Sequence, residues 1–322
     1  MKRARCFSPR QRGFTLLEML IAMAVLAIML AVAYPLFQSM TDLWGKYETN
    51  NRLADIEQAV TTAYQQAMVT AEVPTNTGRE LVLPTGTLVQ TGPNAAGRCS
   101  TTTAVAFTPL YQYLKQAPNL VWRDGYGRPV CVLITPQLSF TDDGATLYYH
   151  TIAIVSAGRH GKMAAGTSLS DAGVLTLAGD NQAVLINGRL LALAALQATQ
   201  AQMAKVAAAY AAYFQNRYLG NTARDTSIDY FANAWGDTGS PMPALGATPL
   251  NTPSVDLMSP LGLSSTDITD GWGQVMQLDN DSDAVRSPNN SAAAMTTPPY
   301  TARITTTLPG GQTYAQTVMG SY

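Results

Sequence analysis

The order of apolar and polar positions divides the chain into unequal parts. From Phe14 to Tyr34 the sequence FTLLEMLIAMAVLAIMLAVAY is apolar apart from its threonine and a single charge, Glu18. At about 1.5 Å per residue this run makes a helix roughly 30 Å long, enough to cross the hydrocarbon core of a bilayer. Beyond it the pattern becomes periodic. Leu53, Ile56, Val60, Ala63 and Ala67 recur at steps of three and four, with Asp55, Glu57, Gln58 and Gln65 between them, which predicts one apolar stripe on a polar helix. Pro74 and the following Thr-Asn-Thr-Gly end it. A single helix from Phe14 to about Val69 would be about 80 Å long, its first half in a membrane or a filament core and its second half against a globular head.

Residues 75–120 are rich in Thr, Gly and Pro and predict loops with one or two short strands, one at Leu81-Val82-Leu83. A glycine-containing turn follows Trp122, and the runs Cys131–Ile134 and Tyr148–Val155 predict an antiparallel sheet. Ser156 to Met163 is a glycine-bracketed loop. The order then recurs. Leu190 to Leu219 is an alanine-rich helix with Met203, Val206, Tyr210 and Tyr213 at helical spacing, interrupted by Gln and Lys and so unlike a second membrane span. A Thr/Pro/Gly stretch, a turn at Asp270-Gly-Trp-Gly, strand-like residues 300–307 and the turn Leu308-Pro-Gly-Gly311 complete it.

Charge sharpens the reading of the N-terminus. The chain of 322 residues has 20 Lys+Arg, 21 Asp+Glu and a net charge of −1. Lys2, Arg3, Arg5, Arg10 and Arg12 all fall in the first 13 residues, beside no acid. A cationic leader therefore precedes a mildly acidic protein, and the orientation rule places the leader in the cytoplasm and the head outside. A cleavable secretory signal has a shorter apolar region followed by polar sequence. A plain membrane anchor fits the length. Neither accounts for Glu18, because a carboxylate inside an apolar span costs about 2.5–3.5 kcal/mol and is functional by default. The amine of Phe14, freed by a cut after Gly13, would be a natural partner, in cis or from a neighbouring subunit.

Arg12-Gly13-Phe14-Thr15-Leu16-Leu17-Glu18 resembles the processing site of type IV prepilins and type II secretion pseudopilins. The resemblance implies cleavage after Gly13 by a membrane-embedded prepilin peptidase and methylation of the amine of Phe14. It also implies pairing of Glu18 with a neighbour's N-terminus during assembly, and a helix-weakening role for Pro35. Physically, Pro35 removes one helix hydrogen bond and crowds the carbonyl four residues back, near Ala31. The order of long helix, loop, turn, strands and Ser156-Ala-Gly-Arg-His-Gly-Lys162 loop is similar to the pseudopilin head. In that family the last loop often helps to bind calcium through aspartates. Here Arg159, His160 and Lys162 stand in the matching place, which argues against that site.

The fold expected is α+β: a long N-terminal transmembrane or filament-core helix, a pilin-like head with an antiparallel sheet packed on the helix, then a second tandem pilin-like head. The expected divisions are a leader at 1–13, a membrane helix at 14–35, a first head at 36–170, a linker at 171–189 and a second head at 190–322. The function implied is that of a structural subunit, most simply a minor pilin, held in the inner membrane with a periplasmic head and then assembled into a surface pilus. A type II secretion pseudopilin in a periplasmic pseudopilus, or a membrane-anchored periplasmic binding protein, are the alternatives. The implied partners are other pilins or pseudopilins in a helical filament, the prepilin peptidase and an inner-membrane assembly platform.

Catalytic chemistry is not expected, and no cofactor is. Two histidines, His150 and His160, read as surface or strand residues and supply little for metal or proton-relay sites. The balanced charge argues against nucleic-acid binding. Asp279, Asp281 and Asp283 alternate as in the opening of a calcium loop, but Ala284 replaces the required glycine and Asn290 the bidentate acid, so a solvated acidic turn is the simpler reading and a calcium site there the alternative. Trp122, Trp235 and Trp272 read as turn and core packing, with Trp235 able to face a ligand. Of the three cysteines, Cys6 lies in the leader. Cys99 and Cys131 are placed in an oxidising compartment, which favours a disulfide contributing about 3–4 kcal/mol.

Overall fold

The protein is described by a computed structural model covering residues 16–74, 78–115, 117–231, 248–253, 257–279 and 298–322. Helix α1 (Leu16–Ala71) runs unbroken through Pro35. Its large apolar side chains are exposed from Leu16 to Tyr47, whereas Thr49, Leu53, Ile56, Val60, Ala63, Tyr64, Ala67 and Met68 are buried. The change coincides with the change in sequence pattern: a uniformly apolar helix has no polar side to turn to water, and an amphipathic one buries its stripe.

The elements that follow are the hairpin β1 (Glu80–Leu83) and β2 (Gly86–Val89), short helices α2 (Thr103–Ala106) and α3 (Pro118–Val121), and strands β3 (Cys131–Ile134), β4 (Leu138–Asp142), β5 (Ala145–Tyr149), β6 (Thr151–Ser156), β7 (Ser168–Leu169), β8 (Leu175–Thr176) and β9 (Gln182–Asn187). Strands β3, β6 and β9 form an antiparallel sheet in the order β3-β6-β9. Strand β6, Thr-Ile-Ala-Ile-Val-Ser, is buried at every position. Ile152 and Ile154 join the core against α1. Ala153 and Val155 join a smaller cluster on the other face with Cys131 and Leu133. A strand covered on both faces needs a continuous apolar run, and this one has it.

Residues 171–189 differ from the linker expected there. They contain β8 and β9, and β9 is the third strand of the first sheet. Helix α4 (Gly188–Gly220) begins directly after it, its N-terminus capped by Asn187 Oδ1, which accepts from the amides of Arg189 (3.0 Å) and Leu190 (3.3 Å). Ala192 and Leu196 at the start of α4 share the first core with α1. Met203, Val206, Tyr210 and Phe214 build a second core under the sheet β10 (Thr248–Pro249), β11 (Gln277–Asp279), β12 (Thr301–Thr307) and β13 (Thr313–Met319), ordered β10-β11-β12-β13. The chain is thus a long apolar helix packed at its far half on antiparallel sheets, with a later helix spanning two cores.

One local arrangement occurs twice. Asp124 Oδ1 accepts from the amides of Tyr126 (3.0 Å) and Arg128 (2.9 Å), and its Oδ2 accepts from the Ser156 hydroxyl (2.8 Å). The Gly125 amide donates to Thr49 Oγ1 (2.9 Å), whose hydroxyl donates to the Gly45 carbonyl (2.7 Å). In the second half Asp270 Oδ1 accepts from Trp272 (2.9 Å) and Gln274 (2.8 Å), and Oδ2 from Thr306 (2.5 Å). There the Gly271 amide donates to Thr199 Oγ1 (2.9 Å), and Thr199 to the Ala195 carbonyl (2.9 Å). Each turn lies so close to its helix that a Cβ on Gly125 or Gly271 would enter the carbonyl of Gly45 or Ala195. The strands match as well, since Ser156 ends β6 and Thr306 lies in β12, and each of these is an interior strand of its sheet.

Candidate functional site

The exposed half of α1 is built from residue types that water rejects. Leu17 is 67% exposed and Phe37 70%, and the most hydropathic part of the helix is wholly unburied within this chain. Among the described residues this is one helix long and apolar enough to cross a membrane. Glu18 sits in its first turn, where a helix N-terminus favours negative charge. Pro35 lies inside the helix. Gly13 and Phe14 lie outside the described residues. A helix of this kind requires lipid or other apolar helices around it, because its backbone is satisfied internally and its side chains are not.

Where α1 emerges toward the head, the repeated turn meets it. The Tyr126 hydroxyl donates to Asp42 Oδ1 (2.7 Å), and Lys46 Nζ pairs with Asp42 Oδ2 at 2.9 Å. The hydrogen bonds from Lys46 and then Tyr126 hold the Asp42 carboxyl below the usual carboxylate range. Burial, followed by the Asp42 carboxylate, pushes the Tyr126 phenol up. Asp124 lies behind the turn, and burial raises its carboxyl despite the Arg128, Ser156 and Tyr126 hydrogen bonds. Sequence reasoning does not find Tyr126 or Asp42. Their pairing joins positions far apart in the chain, and only the Asp-Gly-aromatic-Gly turn signals one side of it.

Next to this turn, Arg128 Nη1 donates to the Gly158 carbonyl (2.9 Å), and the Met163 amide donates to the Gly97 carbonyl (2.7 Å). A cleft of about 250 Å³ opens between Arg98, Arg128 and His160. Cys99 and Cys131 form a disulfide at its edge, with Cα atoms 5.0 Å apart. The disulfide ties the 91–100 segment to the first strand of the sheet.

The remaining candidates lie elsewhere. His150 is neither a surface residue nor a strand residue but a buried group just before β6, its Nδ1 2.7 Å from Glu72 Oε1. Glu72 also accepts from the Tyr64 hydroxyl (2.5 Å) and, at Oε2, from Gln137 (3.0 Å). Burial, then the Glu72 charge, raises the Tyr64 phenol. This polar network is internally satisfied and fastens the end of α1 to the sheet. His160 is exposed and pairs with Asp180 at 3.0 Å. Trp122 packs half-buried against the first core, and Trp272 is nearly buried in it. Asp279 lies in β11, while Asp281, Asp283 and Trp235 fall outside the described residues. Among the described residues no group of three or more His, Cys, Asp or Glu could hold a metal ion.

Comparison with known proteins falls on the N-terminus. Residues 8–34 match the family model described as the Prokaryotic N-terminal methylation motif. No curated protein and no solved structure matches the chain. The motif implies processing by prepilin peptidase and assembly with pilins, and such proteins are typically non-enzymatic structural subunits. Together with the unburied apolar helix it suggests a type IV pilin or pseudopilin subunit, anchored in a membrane and then assembled into a filament. The chain carries a prepilin-type N-terminal methylation motif over residues 8–34.

Proposed function

We propose that the protein is a minor pilin with two tandem pilin-like heads, cut after Gly13, methylated on Phe14 and assembled through α1. The observation that carries this reading is the continuity of one helix, Leu16–Ala71, whose first half bears the motif and is exposed while its second half is the spine of a head. Glu18 would set the register by pairing with a neighbour's Phe14 amine, and Pro35 would let the helix yield when packed. The repeated Asp-Gly turn, each copy docked on a Thr of its own helix, supports the second head. A subunit of this bulk at every position would crowd a filament, which favours sparse or tip placement. The Ser156–Lys162 loop, similar in position to that of pseudopilins, supports a secretion pseudopilin as the second reading.

The test replaces Glu18 with alanine in a host that has the assembly machinery. The reading predicts normal cleavage with loss of the subunit from sheared filaments. Normal incorporation would refute the register role. An unchanged amount of an unassembled membrane receptor, with filaments independent of it, would support a plain anchored binding protein.

A further inference from the structure

The cleft between Arg98, Arg128 and His160 belongs to a cationic face that the processing and assembly roles do not use. Arg98, Arg159, His160 and Lys162 are exposed and Arg128 half-buried. Among the described residues Arg98, Arg128, Arg159 and Lys162 form no ion pair within 4.0 Å. The facing acids are Asp180, engaged with His160, Asp42, engaged with Lys46, and the buried Asp124. This face is positive although the chain without its leader is acidic overall.

Its position is fixed by contacts. Strand β6 runs from Thr151, beside the buried Tyr64 end of α1, to Ser156, beside the turn seated on Gly45 and Thr49. The basic loop therefore lies at the membrane side of the head. Asp42 is about 12 Å along the helix from Tyr34, at about 1.5 Å per residue. A headgroup layer of about 5–8 Å beyond the hydrocarbon plus a Debye length of about 8 Å reaches that level. The exposed side chains of α1 mark the same level. Phe37, Trp44 and Tyr47 are exposed, Trp44 and Tyr47 with ring centroids 6.3 Å apart, and Trp and Tyr are enriched where a bilayer meets water.

We propose that Arg98, Arg128, Arg159, His160 and Lys162 form an electrostatic docking face for the anionic phospholipid headgroups, engaged while the subunit is stored in the membrane. Arg98 and Arg128 both line the cleft and carry planar donors of the kind suited to phosphate oxygens. The exposed Arg159 and Lys162 add charge at the membrane surface. The site rests on the reading of α1 as a membrane span. Extraction into a filament would break the contact, so the face would be occupied only before assembly.

The test uses the full chain, one copy per lipid disc, in phosphatidylcholine discs with and without phosphatidylglycerol. Amide exchange of residues 157–163 is followed by mass spectrometry. The site predicts roughly tenfold slower exchange in the anionic discs, on the order of what a few basic side chains give at a charged surface, and loss of the effect in high salt. Arg98→Glu with Arg159→Glu and Lys162→Glu should abolish the slowing. Lys115→Glu with Lys205→Glu and Arg224→Glu, an equal charge change away from this face, should preserve it. Equal exchange in both discs would overturn the proposal. So would slowing produced in phosphatidylcholine discs by inorganic phosphate alone, which assigns a free anion, or slowing seen only with two copies per disc, which assigns a neighbouring subunit. Resistance of the chain to alkaline extraction from the discs is read separately: a chain that washes out refutes the membrane span itself, and the lipid site with it.

Discussion

Gly271→Ala should lower the unfolding temperature of the C-terminal half more than a methyl added at Gly273 of the same turn. The residue has no need of glycine's left-handed freedom. Its constraint is space, since a Cβ would enter the Ala195 carbonyl on α4. The turn cannot retreat without lengthening the Gly271 amide bond to Thr199 (2.9 Å), and Asp270 holds both sides of the turn. Overpacking costs about 1–3 kcal/mol, and loss of the half-buried hydrogen bond adds about 1–1.5 kcal/mol, for a total of about 2–4.5 kcal/mol. In a domain of this size that is a fall of roughly 4–15 °C in melting temperature. Gly273→Ala is the contrasting change. Gly273 has φ +79° and nothing within 4 Å of an added methyl, so it should lose about 1–2 kcal/mol from conformation alone. Thermal unfolding in detergent, followed by near-ultraviolet circular dichroism, separates the two. If Gly273→Ala costs as much as Gly271→Ala, or if neither moves the transition, the docking of this turn on α4 is refuted.

Other outcomes follow from the same geometry. Replacing Cys99 and Cys131 by serine, or reducing the bridge, should lower head stability by about 3–4 kcal/mol in denaturant titrations, from the 32-residue separation that the disulfide closes. Burial raises the Asp270 carboxyl above its ordinary 3.8. The native state therefore binds a proton at this site more readily than the unfolded chain does, so acidification from neutral pH through the raised value relieves a destabilising term. Asp270→Asn, which keeps the Oδ1 acceptor, should then be near neutral at pH 7 and compare less favourably with wild type as the pH falls. Asp270→Ala, which strands the Trp272 and Gln274 amides, should cost about 2–4 kcal/mol at either pH. Thr49→Val should destabilise the packing of α1 on the first sheet by about 1–3 kcal/mol through the orphaned Gly125 amide, read by amide exchange at residues 124–128.

Much of this architecture is legible in the sequence. The two long helices announce themselves by an apolar run and by a stripe, because both are signals carried within one element. The two turns are legible as Asp-Gly-aromatic-Gly, although aligning the halves on Trp122 and Trp272 would misplace them: Tyr126, not Trp122, holds the position of Trp272. Strand β9 reads as linker because it follows a Gly- and Asp-rich stretch and is mostly half-buried, so its short apolar centre lacks a strong period. The burial of His150 is not legible. Its partners Glu72 and Tyr64 come from the end of α1 and the residue just beyond it, and nothing local says that a histidine before a strand will meet them. The cationic face is visible as Arg159, His160 and Lys162, but its proximity to Arg98 and Arg128 depends on the fold.

The central claim, that this is a prepilin-type subunit, rests on processing at the N-terminus. The most direct measurement is the intact mass of the protein from hosts with and without a prepilin peptidase. The account predicts loss of residues 1–13 and gain of one methyl group on Phe14 only when the peptidase is present. A full-length, unmethylated chain in both hosts would contradict it.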